Sequence, residues 1–223
     1  KGKSASLAGE QAKNVHMAME YLTNIQRKNF KITYDKTFDF KDLNVVVVGG
    51  GDTAMDCVRT AKREGAKSVT CLYRRDELNM PGSKKEFKNA MEEGVDFVFL
   101  ASPKEIILDE NSHAIAIEYM RTKLGAKDES GRQRMEEVKD SQTRINADVV
   151  IMSLGFDPVV PSFLAENGIE TNTWGGIIIN EETYETTTAG IYAGGDCFRG
   201  ADLVVTAALD GREAAKSIIN SLI

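Results

Sequence analysis

A glycine-rich turn in the first half of the chain carries the clearest chemical signal. It follows four valines at residues 45–48, and its six residues fit the pattern Gly-x-Gly-x-x-Ala: Gly49, Gly50, Gly51, Asp52, Thr53 and Ala54. Glycines at the first and third positions permit a sharp turn and a close approach of the backbone to phosphate. A helix that begins here presents free N–H groups and its positive dipole end to an anion. The pattern therefore predicts a site for the pyrophosphate of a dinucleotide.

The elements around the turn favour this interpretation over a turn that binds nothing, which is the other common use of such glycines. The valine run predicts a strand buried on both faces of a parallel sheet. Residues 53–64 predict a helix that Gly65 ends, and residues 68–73 predict a second strand. We interpret Asp52 as the cap or the dipole partner of the helix. The helix places three apolar residues on one face: Ala54, Val58 and Ala61.

Two arginines, Arg74 and Arg75, follow the second predicted strand. In a β–α–β unit of this kind, an acidic residue at this strand end selects NAD, whereas arginine accommodates the 2′-phosphate of NADP. The first acidic residues, Asp76 and Glu77, come after the arginines. Guanidinium groups stay charged and donate in a planar fork that suits phosphate. The sequence therefore predicts NADP(H) rather than NAD(H), with a solvated basic turn as the alternative.

Composition excludes several classes of protein. The 223 residues carry a net charge of −6, which gives no reason to expect nucleic acid or an anionic membrane as a partner. No apolar run has the length of a transmembrane helix, and no secretory signal is present. The three cysteines, Cys57, Cys71 and Cys197, form no Cys-x-x-Cys pair. We therefore expect a reducing cytoplasm, with no disulfide scaffold and no zinc or iron–sulfur site within this chain.

The first 29 residues predict a short linker and then a helix. Its apolar face consists of Val15, Ala18, Met19, Leu22 and Ile25. A second helix follows Ser83, its expected cap, with Glu86 in the capping-box position, and it ends near Gly94. Its expected buried residues are Phe87, Ala90 and Met91.

Strands account for much of the remaining chain. Residues 95–100 and 147–153 predict strands of the buried sheet, and residues 103–108 and 114–122 alternate like an antiparallel pair. Residues 125–144 predict an exposed hairpin. Further along, short strands are expected at residues 175–179 and 190–193, followed by an amphipathic helix over residues 201–222. The apolar residues of that helix include Leu203, Val204, Ala207, Ala208 and Ile218.

Several separate motifs together identify a family. The segment Gly-Gly-Gly-Asp-Thr-Ala-Met-Asp at residues 49–56, with Tyr-Arg-Arg at 73–75 and Met-Pro at 80–81, resembles the NADPH domain of the glutamate synthase small (beta) subunit and related NADPH-dependent FAD oxidoreductases. Residues 188–196 and 200–205 resemble the second FAD motif of that family. Residues 147–158 resemble the crossover that returns from the NADPH domain to the FAD domain.

The resemblance implies an α/β fold of the flavin disulfide-reductase type, with two dinucleotide-binding domains. Residues 1–42 would be a linker and helix entering the NADPH domain. Residues 43–154 would form a Rossmann-like, three-layer NADP(H)-binding domain with a β-meander. Residues 155–223 would be the C-terminal part of the FAD-binding domain.

The resemblance also implies roles for individual residues. Gly49, Gly51 and Ala54 would line the pyrophosphate of the nicotinamide dinucleotide, and Arg74 and Arg75 would contact its 2′-phosphate. Asp196 would hydrogen-bond the ribityl or pyrophosphate region of FAD, and residues 201–203 would lie near the flavin pyrimidine ring. No catalytic side chain and no metal ligand is implied. The complete cofactor-binding set is Gly49, Gly50, Gly51, Asp52, Thr53, Ala54, Arg74, Arg75, Gly155, Gly195, Asp196, Ala201, Asp202 and Leu203.

The family's first FAD fingerprint and its cysteine-rich iron–sulfur segment are not found in this sequence, which begins at Lys1. We therefore expect a fragment of a longer protein. The resemblance implies that the intact protein passes hydride from NADPH to FAD, and then electrons through iron–sulfur clusters to the glutamate synthase large subunit or another electron-accepting protein. The fragment alone is expected to bind NADPH weakly, to retain little or no FAD and to be inactive.

Two other functions remain open. The first is a thioredoxin-reductase-like flavoprotein, which would need a redox-active Cys-x-x-Cys that this sequence lacks. The second is an NADP(H)-binding sensor or docking module without turnover of its own. Oxidation of NADPH with an artificial electron acceptor would separate an enzyme from such a module.

Overall fold

A computed structural model describes residues 1–33, 36–127 and 133–223. The chain divides into two compact units. One consists of residues 2–155, and the other consists of residue 1 with residues 156–223.

A five-stranded parallel sheet forms the centre of the unit 2–155. Its strands are β1 Val15–Met17, β2 Asn44–Val48, β3 Ser68–Leu72, β4 Asp96–Val98 and β9 Val149–Met152. They lie in the order β1-β9-β2-β3-β4, and all neighbouring pairs are parallel. The four valines of β2 are 0–2% exposed, as expected for a strand covered on both faces. The predicted buried strand therefore lies at the centre of the sheet.

Helices cover one face of this sheet. They are α1 Ala18–Asn29, α2 Asp52–Arg63 and α3 Lys84–Glu92. The predicted apolar residues of α2, Ala54, Val58 and Ala61, are all fully buried in a core that also contains Val45 and Val47. Gly65 has a φ of +92° directly after the helix, a conformation that glycine adopts without strain. The β–α–β unit is therefore confirmed.

An antiparallel meander covers the other face. Its strands are β5 Ala101–Leu108, β6 Ala114–Lys127, β7 Gln133–Glu137 and β8 Thr143–Asn146. Strand β6 pairs with all three others. Ile106 and Ile117 pack with Val46 and Val48 of the parallel sheet in a second core. The predicted three-layer Rossmann-like fold with a meander is confirmed, while part of the predicted hairpin, residues 128–132, lies outside the described residues.

Several predicted details of this unit are wrong. Val15 belongs to β1, at the edge of the parallel sheet, and not to the first helix. Met19 and Met91 are 46% and 55% exposed, so neither is a core residue. Ser83 precedes α3 without a side-chain capping bond, and Glu86 instead accepts a hydrogen bond from Arg59. For Val15 and Glu86, a contact with a distant segment replaced the local interaction that the sequence pattern suggested.

The unit containing residues 156–223 has little regular strand structure. The predicted strands at 175–179 and 190–193 occur as isolated bridges, in which Ile177, Ile179 and Tyr192 take part. Its helices are α4 Ser162–Glu166, α5 Asp196–Arg199 and α6 Val204–Leu222.

Helix α6 begins three residues later than predicted, and several of its apolar residues are exposed, with Val204 at 82%. Its two buried residues are Asp210 and Ala214. In the described ranges, no helix combines the length and apolar content needed to cross a bilayer.

Candidate functional site

The glycine turn lies where β2 ends, beside the ends of β3 and β9. Gly49 has a φ of +145°, and a side-chain Cβ there would lie 2.1 Å from the Ser153 carbonyl oxygen. A Cβ on Gly50 would lie 2.5 Å from the Tyr73 ring. By contrast, a Cβ on Gly51 would meet no atom of the described residues within 4 Å. Packing therefore requires glycine at the first two positions, while the third faces open space that a ligand can enter.

The turn presents unpaired backbone donors to that space. Within the described residues, no acceptor pairs with the N–H groups of Gly50, Gly51, Asp52 or Thr53, and no side chain caps α2. The Asp52 carboxylate accepts a hydrogen bond from the Ser83 N–H at 2.6 Å instead of capping the helix. The capping interpretation of Asp52 is therefore wrong, and Asp52 lies in the first turn of α2, where a negative charge suits the dipole. Free N–H groups at a helix start form an anion site.

A cavity of about 540 Å³ opens at this edge of the sheet, entirely within the unit 2–155. Among the predicted site residues, it is lined by Gly49, Gly50, Gly51, Thr53, Arg74, Arg75 and Gly155. Ala54 lies behind the turn, fully buried in the core between α2 and the sheet. The volume is in the range of pockets that bind small ligands.

The two arginines lie at one side of this cavity, after the end of β3. Arg74 is exposed, and within the described residues neither Arg74 nor Arg75 is paired with a carboxylate. An Arg75 Nη2 donates to the Gln133 carbonyl at 3.3 Å, and its buried Nε has no partner within the described residues. The Thr122 hydroxyl donates to the Arg74 carbonyl at 2.8 Å and fixes the backbone of this turn. The arginine pair thus places uncompensated positive charge on the cavity wall.

The loop after the arginines also supports the glycine turn. The Gly82 N–H donates to the Gly50 carbonyl at 3.0 Å, and Pro81 lines the cavity. The Tyr73 hydroxyl donates to the Asn79 carbonyl at 2.8 Å. Sequence reasoning identified residues 80–81 as part of a family motif, and the Pro-Gly pair at residues 81–82 was the available signal for this structural role.

Cysteine chemistry at the site is limited by burial. Cys71 is fully buried, and its Sγ donates to the Gly49 carbonyl at 3.2 Å. Burial raises the pKa of this thiol to about 12 and also raises the pKa of Cys57, so both remain protonated near neutral pH. Across the described ranges, no group of three or more His, Cys, Asp and Glu side chains is placed to hold a metal ion.

The remaining predicted site residues lie in the second unit. Gly195 is buried with a φ of +70°, and Asp196 is the exposed first residue of α5. Ala201, Asp202 and Leu203 are exposed and precede α6 rather than beginning it. The Asp202 carboxylate accepts a hydrogen bond from the Leu203 N–H at 2.7 Å.

Asp210 organises this second turn and was missed by the sequence analysis. Its carboxylate is fully buried and accepts hydrogen bonds from the Gly195 N–H at 2.8 Å and from Arg199 at 2.5 and 3.0 Å. The Arg199 guanidinium is the main reason that the pKa of Asp210 is lowered. A charged residue in the middle of an apolar helix was the sequence signal for such a buried pair.

Comparisons with known proteins define the class. Residues 3–211 match the family described as pyridine nucleotide-disulphide oxidoreductase, and the chain belongs to this family. By structure, it is similar to Mycobacterium tuberculosis FprA in complex with NADPH, with a TM-score of 0.73, 17% identity and coverage of 99% of this chain and 61% of that one. Thioredoxin reductase of T. acidophilum gives a TM-score of 0.67 at 20% identity, covering 100% and 64%. These likenesses confirm the predicted fold.

Relatives identified by sequence share a larger fraction of identical residues with this chain than these two structures do. The chain is 46% identical to the glutamate synthase (NADPH) small chain of Escherichia coli (strain K12), covering 97% of this chain and 47% of the relative. It is 47% identical to a protein of the same organism named as oxidoreductase AegA, covering 98% and 34%. The family resemblance drawn from the motifs is confirmed. The chain spans between a third and a half of the length of these relatives.

Proposed function

We propose that this chain is the NADPH-accepting part of a flavin oxidoreductase similar to the glutamate synthase small subunit. The observation that carries the proposal is the cavity in the unit 2–155. It combines the N–H groups of the glycine turn with the guanidinium of Arg74 on one wall, and none of these groups has a partner among the described residues. Such a combination suits a ligand with a central pyrophosphate and a further phosphate at one side.

In this proposal, the N–H groups of residues 50–53 bind the pyrophosphate, and the open space beside Gly51 admits it. Arg74 and Arg75 bind the 2′-phosphate and so select NADP(H) over NAD(H). Ala54 and Asp52 act indirectly, because Ala54 lies in the core and Asp52 holds the Ser83 backbone. Residues 43–154 would thus be the NADP(H)-binding domain, entered through residues 1–42.

Residues 155–223 are proposed to be part of an FAD-binding domain. The residues present fit part of such a site: the Asp196 carboxylate is exposed with no partner in the described chain, and the N–H groups of Val204 and Val205 are unpaired at the start of α6. Asp196 would accept hydrogen bonds from ligand hydroxyls, and residues 201–203 would lie beside the flavin. When bound, FAD would supply the chemistry of accepting a hydride and releasing its electrons one at a time.

The names of the relatives suggest where the electrons go. Glutamate synthase small chains are among them, which supports the proposal that electrons pass to a glutamate synthase large subunit or another electron-accepting protein. The iron–sulfur route to that partner is proposed from the motif resemblance. We further propose that these 223 residues alone turn over NADPH poorly, because they contain one Gly-x-Gly-x-x-Ala turn where the family uses two such fingerprints. Turnover with an artificial electron acceptor by the longer protein would support an enzyme, and binding without turnover would support a sensor.

Arg74→Ala tests the selection of NADP(H). Removing a charge-assisted phosphate contact should weaken NADPH binding about ten- to a hundredfold, while NADH binding changes little. Calorimetric titration of both dinucleotides measures this difference.

Arg63→Ala is the matched control, because Arg63 lies in the last turn of α2, at the opposite end of the helix from the glycine turn, and pairs with Glu93. It should leave both affinities unchanged. Equal binding of NADPH and NADH by the unaltered chain would overturn the proposal, as would an unaffected Arg74→Ala variant.

A further inference from the structure

Ser153 is one of the residues that line the cavity, and its hydroxyl is buried. Ser153 follows β9 directly, is 7% exposed, and its N–H donates to the Val48 carbonyl at 2.8 Å. Its Oγ is buried and has no hydrogen-bond partner within the described residues. A buried polar atom without a partner typically destabilises a fold, because it loses its hydrogen bonds to water and gains none in return. Such a group in a ligand cavity points to a bond that the ligand completes.

Sheet topology fixes where this hydroxyl lies along the cavity. From β2 the chain proceeds outward through β3 and β4, whereas β9 and then β1 lie on the other side of β2. The strand order therefore reverses between β2 and β9, and ligands of open α/β sheets bind at such a switch point. Arg74 follows β3 on one side of the glycine turn, and Ser153 follows β9 on the other.

A dinucleotide has two different halves joined at the pyrophosphate. If the pyrophosphate lies on the glycine turn and the 2′-phosphate lies at Arg74, the adenosine half occupies the β3 side. The nicotinamide half must then extend over the end of β9. We propose that the Ser153 hydroxyl binds the nicotinamide-ribose half of NADP(H), an inference that rests on the proposed function of the cavity.

A serine hydroxyl suits this role. It can donate and accept at once, which matches both the ribose hydroxyls and the carboxamide of the nicotinamide. Its side chain rotates among staggered positions about a single bond, so the hydroxyl can turn toward the cavity when a ligand offers a partner. The close contact between the Ser153 carbonyl and Gly49 fixes the backbone, so that only the side chain has to move.

Ser153→Ala tests the proposal with two ligands. NADP⁺ contains both halves, whereas 2′,5′-ADP contains the adenosine half and the 2′-phosphate alone. The variant should bind NADP⁺ about three- to tenfold more weakly and bind 2′,5′-ADP as the unaltered chain does. Because the change removes an unsatisfied hydroxyl, the thermal midpoint of the ligand-free variant should stay the same or rise. A purely structural role would lower it.

Ser68→Ala is the control. Ser68 begins β3 at the opposite end of the sheet, where its hydroxyl donates to Asn44, and its loss should leave both affinities unchanged. Equal weakening of both ligands by Ser153→Ala would overturn the proposal, because the hydroxyl would then support the turn as a whole. Unchanged binding of both would also overturn it. If the unaltered chain binds neither ligand, the proposed function itself fails.

Discussion

The three glycines of the glycine turn differ in what their surroundings require. Gly49 and Gly50 are required by packing, because a Cβ would strike the Ser153 carbonyl or the Tyr73 ring. A Cβ on Gly51 would meet no atom of the described residues within 4 Å, so packing does not require glycine there, whereas the ligand that we propose would approach the backbone closely at this position. The glycine pattern alone treats these positions alike, and only the surrounding atoms distinguish them.

His16 is a buried residue that makes stability depend on pH. It is 6% exposed, lies against the Phe38 and Phe40 rings, and its Nδ1 accepts a hydrogen bond from the Lys36 ammonium at 3.2 Å. Burial, and then the charge of Lys36, lower its pKa from 6.5 to about 4, while Glu20 opposes the shift. Between these pH values the unfolded chain binds more protons than the folded one. The contribution of neutral His16 to the free energy of unfolding is therefore fully present above pH 6.5, and it is lost as the pH falls toward 4.

We expect His16→Gln to flatten this dependence, because glutamine does not titrate. Urea unfolding at several pH values across the window measures the slope of the free energy of unfolding against pH. His113→Gln serves as the control, since it replaces the other histidine of the sequence, whose side chain is 44% exposed. Parallel curves for His16→Gln and the unaltered chain would show that another group causes the loss of stability in acid.

At the scale of elements, the glycine turn depends on a neighbouring loop. A 3₁₀ turn at Glu77–Asn79 leads to Gly82, whose N–H donates to Gly50, and to Ser83, whose N–H donates to Asp52. These two bonds hold the turn from outside the β–α–β unit. The loop therefore positions the free N–H groups that we propose bind phosphate.

Gly82→Ala should disturb this support. A Cβ there would lie 3.0 Å from the Gly50 carbonyl oxygen, so the turn must shift by a few tenths of an ångström. We expect NADP⁺ to bind about three- to tenfold more weakly, the equivalent of one lost hydrogen bond. Calorimetry measures the change.

Gly211→Ala is the matched control, because a Cβ on Gly211 in α6 would meet no atom within 4 Å. It should leave affinity unchanged and add about 0.5–1 kcal/mol of stability, since alanine is favoured over glycine within helices. If Gly82→Ala binds NADP⁺ as tightly as Gly211→Ala does, the loop does not position the turn.

At the scale of the whole molecule, the described residues lining the cavity all belong to the unit 2–155. A ligand that binds the folded state stabilises the region that it contacts. We expect NADP⁺ to slow amide hydrogen exchange most in the glycine turn, the first turn of α2 and residues 153–155, and least in α6. Exchange measured by mass spectrometry, with NAD⁺ as the comparison ligand, tests this. Stronger protection in α6 than in α2 would place the dinucleotide elsewhere.

Much of the unit 2–155 was predictable from local sequence. The valine run, the helix of Ala54, Val58 and Ala61, and the stop at Gly65 depend on interactions between residues near in sequence, and all were confirmed. Where distant segments decided the outcome, prediction failed. The sheet edge pairs Val15, which the sequence placed in a helix, with β9, and the Asp52 carboxylate accepts a hydrogen bond from the Ser83 N–H instead of capping α2.

The sequence by itself determined the β–α–β unit, its glycine turn and the arginines that follow, because periodicity and backbone geometry act over short distances along the chain. Only the tertiary structure decided that Ser153 and Gly82 meet that turn, and that Asp210 is buried beneath a second one. Those contacts join strands, loops and helices that lie far apart in sequence. They arise from the strand order of the sheet and the close packing of the core, which no local pattern records.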